Sequence, residues 1–196
     1  MASAPVTQTS IEPQWLETLR DGSRVLIRAI RPQDREAERA FIEGLSSQTR
    51  HYRFLGGLCH PSEELLSRLT VIDPVKEAAF IAIETGDVNS NIIGVSRFSA
   101  DSDGQNCECA VTVSDQWQNK GLGTSLMRHL IKVARSRGMR TLYSVDLSGN
   151  AAMRDLAHHL GFTSRLDPDE PCQVIHELDL RQDLHLDTAD RGQPDA

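Results

Sequence analysis

At 196 residues, with 39% apolar and 25% charged residues, the chain is long enough for one domain with a sizeable core and short for two. A formal net charge of −7 disfavours nucleic acid as the main partner, since that binding is driven by phosphate neutralisation, and suits a basic substrate. No stretch approaches the roughly 20 apolar residues of a membrane span, no basic-then-apolar signal opens the chain, and the four cysteines fit a reducing compartment, so a soluble cytoplasmic protein is expected.

Residues 1–18 are expected to be a flexible segment, because Met1 to Gln14 is rich in Ser, Thr and Pro; the domain is expected over 19–182 and a tail over 183–196. From Arg24 to Ile30, Val25, Ile27 and Ala29 alternate with Arg24, Leu26 and Arg28, the period of a strand. Pro32 and Asp34 open a helix that Gly44 stops. A shorter helix follows over Ser47 to Tyr52, Gly56-Gly57 breaks the chain, and Pro61-Ser62-Glu63-Glu64 starts a third helix running through Leu69. Ala78 to Glu84 and Asn91 to Phe98 are strand-like runs joined by the turn-rich Gly86-Asp87-Val88-Asn89, as in a hairpin.

Cys107 to Val113 is the fourth expected strand. After it, a helix from near Gly121 to Gly138 aligns Leu122, Leu126, Leu130 and Val133 on one stripe. A fifth strand at Thr141 to Val145, a helix at Asn150 to Leu160 and a final strand at Val174 to Leu180 complete the order. Paired strands early and strand-helix-strand units late imply a single α/β (α+β) domain, with a mixed central sheet and helices on both faces.

The segment Gln118-Asn119-Lys120-Gly121-Leu122-Gly123-Thr124 joins the fourth strand to its helix. Unpaired N–H groups and the helix dipole at such a terminus can hold a pyrophosphate. A dinucleotide fingerprint fails because Leu126 stands where the third glycine belongs, and a Walker A loop fails because Lys120 precedes the glycines. The residues fit Q/R-x-x-G-x-G/A, and on this loop the chain resembles the GNAT superfamily of acyl-CoA N-acyltransferases. Arg20-Asp21-Gly22-Ser23, Leu45-Ser46-Ser47, Tyr52-Arg53-Phe54-Leu55, Leu69 to Asp73 and Glu108 to Phe162 further resemble bacterial GNAT-type protein lysine acetyltransferases.

The resemblance implies acetyl-CoA as co-substrate, no metal, and a V-shaped splay between the fourth and fifth strands. Backbone groups near Val111 and Val113 would pair with the pantetheine arm, Gln118 to Thr124 would hold the pyrophosphate, and Glu108 would act as general base, usually through water. A lysine amine has a pKa of about 10.4, so presenting it neutral near pH 7.4 costs about 4 kcal/mol and some group must take the proton. Asn150 matches the superfamily's N-x-x-A-x-x-L-Y-x-x-x-G-F signature, although it is also a good helix N-cap. Ala157 stands where many relatives carry a thiolate-protonating tyrosine, so no general acid is assigned. Cys107 and Cys109 suit apolar packing better than an acyl-cysteine or metal site, and the acidic Asp167, Asp169 and Glu170 suit a solvated turn or a basic acceptor. The expected activity is acetyl transfer to a primary amine on a protein lysine; a small amine acceptor, or a non-catalytic acyl-CoA-sensing module, stays open.

Overall fold

The alternating runs pair edge to edge in a computed structural model that describes residues 13–55, 60–86 and 91–181. The first strand, β1 (Gln14–Thr18), pairs antiparallel with β2 (Arg24–Ala29). Three helices follow: α1 (Arg35–Gly44), α2 (Ser47–Phe54) and α3 (Glu63–Thr70). Next come β3 (Glu77–Glu84), β4 (Ile92–Ala100) and β5 (Asn106–Val113), then α4 (Leu122–Ser136), β6 (Thr141–Leu147) and α5 (Ala151–His159), and last β7 (Thr163–Leu166) and β8 (Gln173–Asp179). The strands form one eight-stranded sheet ordered β1-β2-β3-β4-β5-β6-β8-β7.

Strand alternation sorts the core onto the two faces of this sheet. On one, Ile27, Phe80, Phe98, Cys109 and Leu142 pack with Leu122, Leu126, Met127 and Leu130 of α4 and Ala157 of α5. On the other, Ile81 and Val95 pack with Phe41 and Ile42 of α1 and Leu66 and Leu69 of α3. The α4 helix comes so near the sheet that a Cβ on Gly94 of β4 would stand 2.9 Å from Leu126 Cδ1 and 3.2 Å from Leu122 Cδ2. Gly94→Ala should therefore overpack this contact and lower stability by about 1–3 kcal/mol; a denaturant midpoint no lower than wild type would show that α4 yields freely.

Gln14–Thr18, which falls within the segment expected to be flexible, is an edge strand. Its anchor is Trp15, which stacks on His129 of α4 at 4.1 Å and meets Phe80 edge-on at 5.2 Å, while Glu17 reaches His129 Nε2 at 2.7 Å. β7 was not expected either: all four of its residues are exposed, and it is defined by backbone pairing with β8 together with the Thr163 hydroxyl donating to Glu177 O and the Ser164 hydroxyl meeting His176 Nδ1. Gly56-Gly57, most of the Gly86 to Asn89 turn, residues 1–12 and the 183–196 tail lie outside the described residues.

The parallel contact of β5 with β6 positions the site. Its register holds only Asn106↔Thr141, Cys107↔Leu142 and Glu108↔Tyr143, after which β5 runs on to Val113 and β6 to Leu147 with no pairing between them. This is the V-shaped splay; the strands expected as fourth and fifth are β5 and β6, because β1 precedes them.

Candidate active site

Antiparallel pairing decides which backbone groups of β5 face the splay. Ser114 N–H donates to Ile93 O at 3.0 Å, so the groups of Thr112 and Ala110 point to β4 by alternation, while those of Cys109, Val111 and Val113 point into the gap. Val113 O accepts from Gln118 Nε2 at 3.2 Å, so the Gln118 side chain secures the end of β5.

The loop that follows holds two residues at positive φ, Asn119 at 61° and Gly121 at 91°, which curls successive N–H groups into a concave nest. Ser46, Ser62 and Asn150 cap α2, α3 and α5 through their side chains, whereas α4 opens at Gly121 with no side-chain cap. Its first-turn amides thus front a cavity of about 870 Å³ that runs from this loop to Glu108.

Glu108, Val111, Val113, Gln118, Asn119, Gly121, Gly123, Thr124 and Asn150 all line that cavity. Lys120 does not: its Nζ pairs with Asp21 at 3.0 Å and lies 4.6 Å over the Trp117 ring. The Lys120 hydrogen bond, with help from Ser23, brings Asp21 down to about 2. The Asn150 side chain accepts from Met153 N–H at 3.2 Å, so it caps α5 while bordering the cleft. Cys107 and Cys109 face the core; burial pushes Cys107 up to about 12 and Cys109 well above the ordinary thiol value. Neither presents a thiolate at neutral pH.

A family model described as the acetyltransferase (GNAT) family matches residues 48–162, which include α2 from its second residue, the splay, the glycine loop and α5. The chain belongs to the GNAT acetyltransferase family. It is 50% identical over 166 residues to an acetyltransferase of Pseudomonas aeruginosa, covering 85% of this chain and 89% of that protein. It is 30% identical over 146 residues to acetyltransferase Pat of Mycolicibacterium smegmatis, covering 73% of this chain and 42% of Pat. Of solved structures, the GNAT domain of S. lividans PAT superposes with a TM-score of 0.77 at 26% identity, over 85% of this chain and 96% of that domain.

GNAT enzymes use acetyl-CoA, and the features of this GNAT domain that sequence reasoning missed surround the same cleft. Arg20, from the turn after β1, lines the cavity; its N–H donates to Lys120 O at 3.1 Å. Asp146 lines it from β6, where burial raises its pKa despite the Ser144 hydroxyl donating at 2.8 Å. Ala157 is fully buried in the core. Of the two phenols, Tyr143 is pushed up to about 12 by burial and by Asp101, to which it donates at 3.2 Å. Tyr52 lines the cavity, donates to Gly149 O at 3.1 Å and so joins α2 to the loop before α5. The acidic Asp167, Asp169 and Glu170 are not among the residues lining the cleft.

The start of α2 is fixed as firmly as Tyr52. The Asp115 carboxylate accepts from Ser46 N–H at 2.8 Å, Ser46 Oγ at 2.7 Å and Thr49 Oγ1 at 2.8 Å. Burial opposes ionisation, but these hydrogen bonds prevail and hold the pKa below its ordinary 3.8. The resulting stabilisation is complete above that value and fades as pH falls through the lowered folded-state pKa. Asp115→Ala should lose about 1–3 kcal/mol at neutral pH, and the gap to wild type should narrow on acidification. A gap that stays constant in acid unfolding titrations would remove the ionised Asp115 from this role.

Proposed function

We propose that this protein transfers acetyl directly from acetyl-CoA to a primary amine on a protein lysine, with Glu108 receiving the amine proton. The observation that carries the reading is one cavity holding a pyrophosphate-type nest at one end, the β5 edge that β6 leaves unpaired beyond Glu108 along its length and an exposed carboxylate at Glu108. The loop amides and the Cys109 to Val113 edge suit a coenzyme's diphosphate and amide-bearing arm. Asn119, Gly121, Gly123 and Thr124 would hold the diphosphate, and Val111 and Val113 the arm.

In the transfer, amine nitrogen attacks the thioester carbonyl, a C–N bond forms and the C–S bond breaks. The amine proton passes to Glu108 through water, and the coenzyme departs as thiolate. A thiol of pKa about 8.5 leaves tolerably as an anion, which suits a site with Ala157 in the tyrosine's place. The protein lysine acceptor is supported by the resemblance of the Arg20 to Ser23, Leu45 to Ser47, Tyr52 to Leu55 and Leu69 to Asp73 segments to bacterial lysine acetyltransferases.

Mass spectrometry of a deacetylated lysate treated with the protein and acetyl-CoA, beside a small-amine screen, tests the acceptor. Acetyl-lysine on proteins is expected; acetylated small amines alone would transfer the assignment to a free metabolite. Calorimetry showing no uptake of acetyl-CoA or CoA by folded protein would end the proposal, and uptake without transfer to any amine would leave a sensor.

A further inference from the structure

Beyond Glu108 the cleft adjoins a second cavity of about 200 Å³, which shares Arg53, Glu108, Cys109 and Ala110 with the first and adds Arg97 and Glu77. Two arginines therefore border a space no larger than a small side chain requires, directly beside the carboxylate assigned to take the proton. They differ in how they are satisfied. Arg97 donates to Leu69 O at 2.7 Å, anchoring it to the end of α3, and burial brings it down to about 10.

Arg53, near the end of α2, makes no hydrogen bond or ion pair among the described residues, its ring contact being with Phe54 at 5.0 Å. It lies deep enough that burial lowers its pKa, yet a guanidinium keeps its proton and offers five N–H donors in a planar fork. Elsewhere in this protein such a fork is matched: Arg28 grips both Asp34 oxygens at 2.7 and 2.8 Å. The carboxylates nearest Arg53 in electrostatic terms do not serve it. Burial favours the protonated form of Glu38, Asp146 accepts from Ser144, and Glu108 is the proposed proton acceptor. Half-buried on the wall of both cavities, a cation with unused donors is placed to receive an anion that enters the cleft.

We infer that Arg53 recognises a carboxylate on the acceptor, so that the preferred substrate is an amine carrying an acidic group that reaches Arg53 while the nitrogen stands at Glu108. This rests on the reading of Glu108 as base in amine acetylation. The carboxylate is either the α-carboxylate of a free amino acid or an acidic side chain close to an acceptor lysine; both present the same two oxygens to the fork. The same positive charge disfavours an ammonium ion beside it, and so favours the neutral amine that must attack.

The test measures acceptor binding to the full-length protein with CoA in place of acetyl-CoA, so that no turnover is needed. One arm compares free amino acids with their carboxamides, the other compares lysine peptides carrying glutamate or glutamine beside the lysine. In one arm the carboxylate member should bind about tenfold tighter or better, and that arm identifies the source. Arg53→Gln should erase the ratio and Arg53→Lys should restore part of it, with CoA affinity reporting that the fold persists. Equal binding of acid and amide by wild type in both arms overturns the inference without any variant, as does an unchanged ratio in Arg53→Gln. Loss of the Glu108 reading looks different: acid-selective binding persists while acetyl-CoA yields no acetylated amine.

Discussion

Glu108→Gln should lower kcat for amine acetylation by about 10²- to 10⁴-fold, the usual contribution of a positioned general base, with little change in CoA affinity. The substitution keeps the shape of an exposed side chain whose strand neighbours Cys107 and Cys109 are buried in the core, so the fold is not at risk. The amide cannot take a proton, and the lysine must then lose its own to solvent before it attacks. Raising pH should recover part of the lost rate as free amine becomes available, a response the wild type shows less strongly. Stopped assays with calorimetry on the same preparations separate the two effects. Turnover within a few-fold of wild type would exclude Glu108 from proton transfer and turn attention to Asp146, another of the carboxylates that line the cavity.

Gly123→Glu should weaken CoA binding by about 10²-fold or more, since like charges brought together at a binding face cost several kcal/mol, while leaving the protein as stable as before or more so. The two signs oppose each other for a physical reason. Gly123 lies in the first turn of α4, where a Cβ would meet Leu156 at 3.5 Å and Val113 at 3.7 Å, ordinary contacts. A carboxylate there complements the helix dipole by about 0.3–1 kcal/mol, and replacing glycine adds helix propensity. Thermal unfolding of the free protein with calorimetry of CoA binding gives both numbers. Unaltered affinity would mean that the phosphates do not rest on these amides.

The features of this site that are local in sequence could be read from it. Alternation from Cys107 to Val113, the glycines after Gln118 and the apolar stripe from Leu122 each span a few residues, and the strand, loop and helix follow. What needs distant partners could not. In β1, Trp15 packs inward while Leu16 is 64% exposed, so the adjacent apolar pair carries no two-residue period, and only His129 and Phe80 across the fold explain the strand. Lys120 reads as a phosphate ligand until Asp21 takes its charge. Arg53 stands in the sequence only within the Tyr52-Arg53-Phe54-Leu55 resemblance and carries no role there, because nothing in Arg50-His51-Tyr52-Arg53 says which cation turns inward. Asn150 is the mixed case: its capping role is local, its place on the cleft wall is not.

Helix α2 is bolted at its start to Asp115 and along its length, through Tyr52, to Gly149, and Thr49 receives the Gln118 amide at 3.4 Å. It is therefore a rigid strut between the segment that leads into the glycine loop and the arginine beside Glu108. Thermodynamic linkage makes any communication along such a strut reciprocal: whatever factor a docked donor adds to acceptor affinity, a docked acceptor must return to the donor. Mutations in the Ser46-Thr49-Asp115 joint thus act on both substrates at once, although none of these side chains need touch the atoms that react.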